Sequence, residues 1–495
     1  MIVDQPTKRA GWSSLAQGNS QILAILVLAV ISASLAFHNI DFPLGIQPDE
    51  RIKVGFVAGQ HHNYAHPPLM IVLARFAAWL SGASSEHDFL LAGRSVSALA
   101  CVAATVLFYV VLRRYADDIN AFLWACVFAV SPAIAVHAHY LKEDAVLVFA
   151  ICVGLHALVR LKEHVTTVNL VYFGFALGLA VTAKYVGAGN SLVLFIVAIV
   201  YCKLSPRQGV IIAAADAVTV LAVFGVSLLT ETGSRLSTVI GGLRAELKHA
   251  EMGHDLKEWF WEGYGLTHFR YHLIPGVTGP TLAIALGAIA IAIIADRNKC
   301  VAAYAGGAFL WLFMLELSPL KIVGSMRYVL PVVVYLLLAA GIACSRAVAP
   351  RSRLVATGLG LVAMLASAHA GIGYVANLDR KADTRFAAMR FLEQQGITHF
   401  LVDYQMGEPA PVTQDYRDLS SVDYLVSLKF QRYLRGGGLS EQDPRIYELA
   451  AMFRCLDGHV AAQFSKPDGD YGYVAPTVRI YDLRDARSCI SQGGQ

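Results

Sequence analysis

The sequence predicts an all-α polytopic membrane protein with a small α/β domain outside the membrane at its C-terminal end. Three observations predict it. Hydrophobic residues fill 56% of the 495 positions and charged residues only 15%, against about a quarter charged in soluble domains. Apolar runs long enough to cross a bilayer recur as far as residue 375. Beyond that point the composition returns to that of a soluble domain. The net charge is only +4, its distribution matters more than its size, and no nucleic-acid partner is expected.

The first run, from about Gln21 to Phe37, follows Lys8 and Arg9. No small-residue cleavage site comes after it, so an uncleaved first span is expected. Further runs stand at 89–112, 119–137, 144–161, 168–184, 188–203, 209–230, 278–295, 300–317, 327–345 and 354–375, which makes about eleven spans of bilayer length. With the N-terminus cytoplasmic, the inner turns hold Arg113/Arg114, Arg160/Lys162, Lys203/Arg207, Arg297/Lys299 and Arg346/Arg351/Arg353. Every inner turn is thus short and basic, as the positive-inside rule requires. The run at 67–82 opens with two prolines and contains Arg75. Counting it as a span would put Arg113 and Arg114 outside, so a helix lying on the outer surface is expected.

A membrane domain is therefore expected over 1–375, with external loops at 38–88 and 231–277, followed by an external domain over 376–495. The tail segment "DTRFAAMRFLEQQGITHFLVDY" reads as a helix stopped at Gly396 and followed by a strand. "PTVRIYDL" reads as a second strand. Six of the eight cysteines lie in or beside apolar runs, where a thiol behaves as a small hydrophobe. Cys455 and Cys489 lie in the tail and could pair in an oxidising compartment.

Polar chemistry collects on the outer side. The first loop carries Asp49 and Glu50, then His61, His62 and "HPPL" from His66. The next outer turn is "HAHYLKED", with His139, Lys142, Glu143 and Asp144. "TAKYVG" holds Lys184, the long loop holds His249 and His254, and "SPLKIVGSMRYVLP" holds Lys321 and Arg327. Charges at a membrane boundary are costly unless solvated, paired or put to use. A lipid-linked anionic donor reacting with an acceptor would use this set. Cations at headgroup level neutralise a phosphate leaving group. A carboxylate above them takes the proton of the attacking hydroxyl. Lipid phosphate already leaves readily, so the paired-carboxylate pattern of glycosidases is not needed.

These motifs resemble those of GT-C-fold glycosyltransferases that use polyprenyl-phosphate sugars. The nearest likeness is to the dolichyl-phosphate-mannose protein mannosyltransferase superfamily, including the lipid A aminoarabinose transferases. The likeness rests on Asp49-Glu50, on His66-Pro67-Pro68-Leu69, on "TAKYVG", on Arg327-Tyr328 with Pro331, and on the acidic end of the second outer turn at Asp144. It implies a GT-C-like fold with its active site on the non-cytoplasmic face. It also implies a catalytic or acceptor-binding role for Asp49, and Glu50 and Asp144 are expected to join it as catalytic groups, assisting or positioning it. Many relatives carry a phosphate-binding arginine where His139 stands here. Lys142, Lys184 and Arg327 would then share the donor phosphate with it. The tail lacks the β-trefoil-like insertion of eukaryotic protein mannosyltransferases.

The expected activity is transfer of one hexosyl or pentosyl group, with inversion, from a polyprenyl-phosphate carrier to a glycan, lipid or protein acceptor. The expected location is the plasma membrane, the inner membrane of a bacterium, with the active site and the tail periplasmic. His66, His249, His254 and Glu143 are expected to contact substrate. His61, His62 and His254 could instead assemble a divalent-metal site, although their spacing matches no compact metal signature. Two other classes stay open, a lipid or solute transporter and a membrane scaffold. The almost purely apolar inner halves of the spans disfavour the first, and the motif set is unexplained by the second.

Overall fold

The computed structural model describes residues 13–42, 47, 49–60, 62–231, 235–252, 266, 268–317, 326–379, 383–403, 411, 416–428, 451–465 and 477–492. The membrane part is a helical bundle. Its helices are α1 (Ser13–Phe37), α2 (Glu50–Val57), α3 (Leu69–Ser81), α4 (Glu86–Leu112), α5 (Asp118–Val130), α6 (Pro132–His137), α7 (Glu143–Glu163) and α8 (Thr167–Ala183). They continue as α9 (Val186–Cys202), α10 (Pro206–Thr230), α11 (Leu236–Met252), α12 (Ile274–Val277), α13 (Gly279–Ile294), α14 (Lys299–Leu317), α15 (Leu330–Ala343) and α16 (Arg353–Ala376).

Each apolar run is helical, although 119–137 is divided between α5 and α6. Seven of these helices are long and apolar enough to cross a membrane, or eight if the pair bent by 92° at Thr278 counts as one span. The expected eleven crossings are not reached on that measure, because α5, α8 and α9 have only 13, 17 and 17 residues. The breaks have local causes. Pro132 starts α6 after an extended Ser131, as a proline suits a first helical turn and not a helix interior. Lys184 is extended (φ −157°, ψ 143°) and separates α8 from α9.

α7 and α15 form the centre, with 83% and 89% of their spans buried, whereas α1 and α10 are mostly open on their outer faces. α8 meets α10 closely at Gly174 and Gly178, where a Cβ would lie 2.3 Å from the Ile212 carbonyl oxygen and 2.8 Å from that of Asp216. Small residues at such contacts let helices pack without a hydrophobic drive from lipid. The run at 67–82 becomes the 13-residue α3, which buries Met70, Ile71, Ala74 and Ala78 and exposes Phe76, Trp79 and Leu80.

The helix ends define two poles. At one, the turn after α4 pairs with neighbours through Arg113–Asp118 and Arg114–Glu163, and Arg346 Nε donates to the Tyr115 carbonyl. The basic turns thus gather at one end, and Asp49 and Lys142 lie at the other. α7, at about 1.5 Å per residue, separates the two poles by roughly 30 Å.

The tail packs on the Asp49 pole. Leu378 and Phe386 cluster with Phe42, Val136 and Tyr140. Asp383 caps α17 (Thr384–Gln394), and Gly396 (φ +67°) ends it. The helix covers a sheet of β1 (Phe400–Val402), β2 (Tyr424–Ser427), β3 (Val460–Phe464) and β4 (Val478–Asp482). The strand order is β1-β2-β4-β3, with β1 and β2 parallel and the other pairs antiparallel. Cys455 is disulfide-bonded to Cys489.

Candidate active site

Asp49 and Glu50 open α2, and adjacent helix positions point about 100° apart. That divergence separates their roles. Glu50 turns inward and is fully buried. Arg94 of α4 donates to both its oxygens, Nε to Oε1 at 2.9 Å and Nη2 to Oε2 at 2.6 Å, and the Leu141 amide donates to Oε1 at 2.9 Å. Arg94 Nη1 also donates to the carbonyls of Ile40 and Phe42, at 2.8 and 2.5 Å, and the guanidinium lies 3.5 Å over the Phe42 ring. Glu50, expected to assist or position Asp49, therefore does not present its carboxylate beside that of Asp49. Both its oxygens are engaged inside the protein, where it fastens α2 to α4.

Asp49 turns outward, and its side chain is 42% exposed. Lys142 Nζ donates to Oδ2, and Arg327 Nη1 stands 3.5 Å from the same oxygen. Burial alone would raise its pKa, but the charges of Lys142, Arg327 and Lys53 together outweigh that and hold the carboxyl well below the usual carboxylate range. Lys142 is itself pushed down to about 8, chiefly by burial and then by Arg327, against the pull of Asp49 and Asp144.

The first turn of α7 lies beneath. Glu143 and Asp144 sit at a helix N-terminus, which favours negative charge. Lys53, one turn along α2, donates to Glu143. Lys184 Nζ donates to Asp144 Oδ1 at 2.6 Å. Lys184 is held in place by the tight turn of "TAKYVG", where the Gly187 amide donates to the Lys184 carbonyl and a Cβ on Gly187 would fall 1.9 Å from the Ala180 oxygen. Tyr328 joins the group, with Lys184 Nζ 5.6 Å and the Arg327 guanidinium 5.1 Å from its ring centre. Four cations thus face three carboxylates around Asp49, Glu143 and Asp144. Among the described residues, Glu143 Oε2 and Asp144 Oδ2 are buried without a hydrogen-bond partner. The arrangement can hold an anion against its cations while keeping one exposed carboxylate beside it.

The histidines divide. His66 lies in the field of Glu143, Lys53, Lys184 and Lys142, and burial pushes its pKa down to about 4. His139 does not join the phosphate cradle as expected. It is buried, with Nδ1 2.8 Å from the Ala135 carbonyl oxygen and Nε2 2.9 Å from that of His38. His62 lies elsewhere too, between the rings of Phe56 and Tyr64 and 3.9 Å from Glu231 Oε1. His61, His254, Lys321 and the His249 side chain lie outside the described residues. Among the described residues no three His, Cys, Asp or Glu side chains converge as a metal ligand set.

A second polar knot braces the first. Glu231, at the end of α10, receives Arg75 Nη1 at 3.0 Å, Ser227 Oγ at 2.6 Å and Tyr64 Oη at 3.1 Å. Arg75 Nε and Nη2 also donate to the Phe56 carbonyl at the end of α2. α11 rests on this loop at Gly242, where a Cβ would stand 2.4 Å from both the Asn63 oxygen and the Tyr64 carbonyl carbon. Both are backbone atoms and cannot swing away. Gly242→Ala is expected to lift α11 and lower stability by about 1–3 kcal/mol. An unchanged thermal unfolding midpoint in membranes or detergent would show that α11 is not seated there.

Arg94, Lys53 and Glu231 are not among the residues that the sequence marks, and Arg75 is marked there only as a charge that argues against a span. A signal existed for Arg94, a lone arginine inside an apolar run, since such charges face the protein interior and pair. Lys53 stands one helical turn beyond Asp49, the spacing at which side chains share a face.

Comparison with known proteins matches part of the region that carries this geometry. Residues 65–232 match the family described as dolichyl-phosphate-mannose-protein mannosyltransferase. Over that third, the chain resembles the protein mannosyltransferases. The matched segment holds His66, Lys142, Glu143, Asp144, Lys184 and Glu231, and Asp49 and Arg327 lie outside it. No curated protein matches the chain. Among solved structures it is similar to the S. cerevisiae protein O-mannosyltransferase Pmt1-Pmt2 complex bound to the sugar donor, at 22% identity over 44% of this chain, with a TM-score of 0.35. That match spans only 34% of the yeast chain. The chain is also similar to the Archaeoglobus fulgidus oligosaccharyltransferase in complex with zinc and sulfate, at 14% identity over 91% of this chain and 73% of that one, with a TM-score of 0.47. The apo form of that protein gives 12%, 94%, 75% and 0.47.

Proposed function

We propose that the chain is an integral membrane glycosyltransferase that moves a sugar from a polyprenyl-phosphate donor to an acceptor hydroxyl at the Asp49 pole. One observation carries this reading: a single exposed carboxylate, Asp49, is held by the same two cations, Lys142 and Arg327, that a donor phosphate would seek.

That sharing orders the chemistry. While Lys142 and Arg327 hold Asp49, its carboxylate is a poor proton acceptor, because basicity falls with pKa. A donor phosphate arriving between them draws both cations toward its own oxygens. Asp49 then regains basicity next to the anomeric carbon. The acceptor hydroxyl gives its proton to Asp49, and its oxygen forms a bond to that carbon. The carbon–oxygen bond to phosphate breaks on the opposite face, which inverts the centre. The bonding pair leaves on the phosphate, where Lys142, Arg327 and Lys184 stabilise it. Arg94 and Glu50 touch no substrate and serve as positioning residues.

The tail supports a sidedness for the site. A Cys455–Cys489 disulfide belongs in an oxidising compartment, and the tail packs on the Asp49 pole through Phe386. Together with the basic turns at the other pole, this supports an active site on the non-cytoplasmic face. The proposal extends to the plasma membrane of a bacterium, with donor, acceptor and tail on the periplasmic side.

The test is a transfer assay with polyprenyl-phosphate-linked sugars, run across pH. Lys142 is protonated below about 8 and loses its charge above that value, well short of the ordinary 10.5. The ratio kcat/KM reports groups of the free enzyme and is expected to fall as pH rises through about 8. Lys142→Arg, charged throughout, is expected to move that limb upward. A profile that stays flat up to about pH 9.5, the edge of the ordinary lysine range, would remove Lys142 from the cradle. Failure to transfer from any polyprenyl-phosphate sugar would overturn the reaction class.

A further inference from the structure

The pole away from Asp49 carries a cleft that the transfer chemistry does not use. It opens among α7, α9, α14 and α15 as an open-sided groove. Tyr115, Val197, Tyr201, Tyr304 and Tyr335 line it, together with Lys162. Lys162 stands 19 residues along α7 from Glu143, a rise of about 28 Å, so the cleft faces the opposite membrane surface.

Its polarity is one-sided. Deep in the cleft the Tyr335 hydroxyl is taken up by Asn190 Oδ1 at 2.6 Å, and the surrounding walls are aliphatic and aromatic. At the mouth, the Lys162 ammonium lies 4.6 Å from the Tyr201 ring centre and 5.6 Å from that of Tyr115. No carboxylate among the described residues pairs with it, since the adjacent Glu163 is bound by Arg114 at 3.2 Å. Arg346, anchored on the Tyr115 carbonyl, adds a second positive charge nearby. A sugar or nucleotide would find few hydrogen-bond partners inside. A hydrocarbon chain with an anionic head meets both halves: apolar walls for the chain and an aromatic-flanked ammonium for the head.

We propose that this cleft binds an anionic glycerophospholipid of the inner leaflet, one acyl chain between α9 and α14 and its phosphate on Lys162. The inference depends on the chain spanning a membrane and is independent of sugar transfer. Bound lipid fills the gap between α9 and α14 and ties both to α7.

The full-length protein, purified in mild detergent and delipidated, would be offered phosphatidylglycerol, phosphatidylcholine or undecaprenyl phosphate and read by native mass spectrometry. Wild type is expected to retain one phosphatidylglycerol in preference to phosphatidylcholine. Lys162→Gln is expected to weaken that retention about fivefold, as loss of one cation near a lipid phosphate implies. Gly307→Leu, which fills the cleft while leaving Lys162 in place, is expected to abolish it and gives a second reading should Lys162→Gln not fold. Equal retention of phosphatidylcholine, or wild-type retention by both variants, would overturn the site. Retention of undecaprenyl phosphate over phosphatidylglycerol through Lys162 would overturn the assignment to a glycerophospholipid. None of these readings depends on catalysis, so a failure of the proposed transfer activity would be seen separately.

Discussion

Asp49→Asn is expected to lower sugar transfer by about 10²–10⁴-fold, the range that a positioned general base contributes, without loss of donor binding. The direction of the binding change is the sharper part of the expectation. In the native site Asp49 occupies Lys142 and Arg327. An asparagine carries no charge to hold them, so both cations are left to the donor phosphate, and donor affinity should rise. Single-turnover transfer and equilibrium binding of the donor separate the two quantities. Near-native transfer by Asp49→Asn would show that another group takes the proton. Weakened donor binding would show that Asp49 contacts the donor directly and is not in competition with it. Lys184→Ala should behave oppositely, weakening the donor while leaving the base in place.

The second large effect belongs to Arg94. Removing one partner of a buried ion pair costs about 3–5 kcal/mol, because the other charge is left uncompensated. Arg94→Met strands Glu50, which has no exposure to water, and is expected to lower stability by that amount and to abolish transfer. The double variant Arg94→Met/Glu50→Leu removes both charges and is expected to regain most of the stability, as apolar replacement of buried pairs often does. Transfer should stay lost, because the ion pair that orients α2 on α4, and through Arg94 on the carbonyls of Ile40 and Phe42, is then gone. Thermal unfolding and transfer rates measured on the same three proteins distinguish the outcomes. Full activity in the double variant would show that Asp49 is positioned by other contacts.

Much of this architecture is legible in the chain. Apolar runs report helices because a bilayer leaves backbone groups no partner outside the segment. Basic turns report which ends lie together. The break at Lys184 falls where one apolar run is expected to end, whereas that at Ser131-Pro132 lies inside a run expected to be continuous, although its proline signals a new helix start. Among the site residues, Asp49, Lys142, Asp144, Lys184 and Arg327 stand out because charges of both signs at the outer ends of apolar runs must be solvated, paired or put to use. His139 looks equivalent to them in sequence, and only its two carbonyl contacts remove it from the cradle. Arg75 and Glu231 are 156 residues apart, and neither suggests the other until α3 and α10 are packed.

The sequence by itself determined the layering of this protein: a helical membrane part, a polar pole, a basic pole and a soluble tail. Those follow from composition and period, which depend on local solvent preference alone. Only the tertiary structure decided which of two adjacent carboxylates faces the reaction. Asp49 and Glu50 are equivalent in local chemistry, and Arg94, 44 residues further along, draws Glu50 into the core. An ion pair of that kind forms only once α2 and α4 are in contact. With Glu50 turned inward, the rotation of α2 leaves Asp49 at the surface between Lys142 and Arg327.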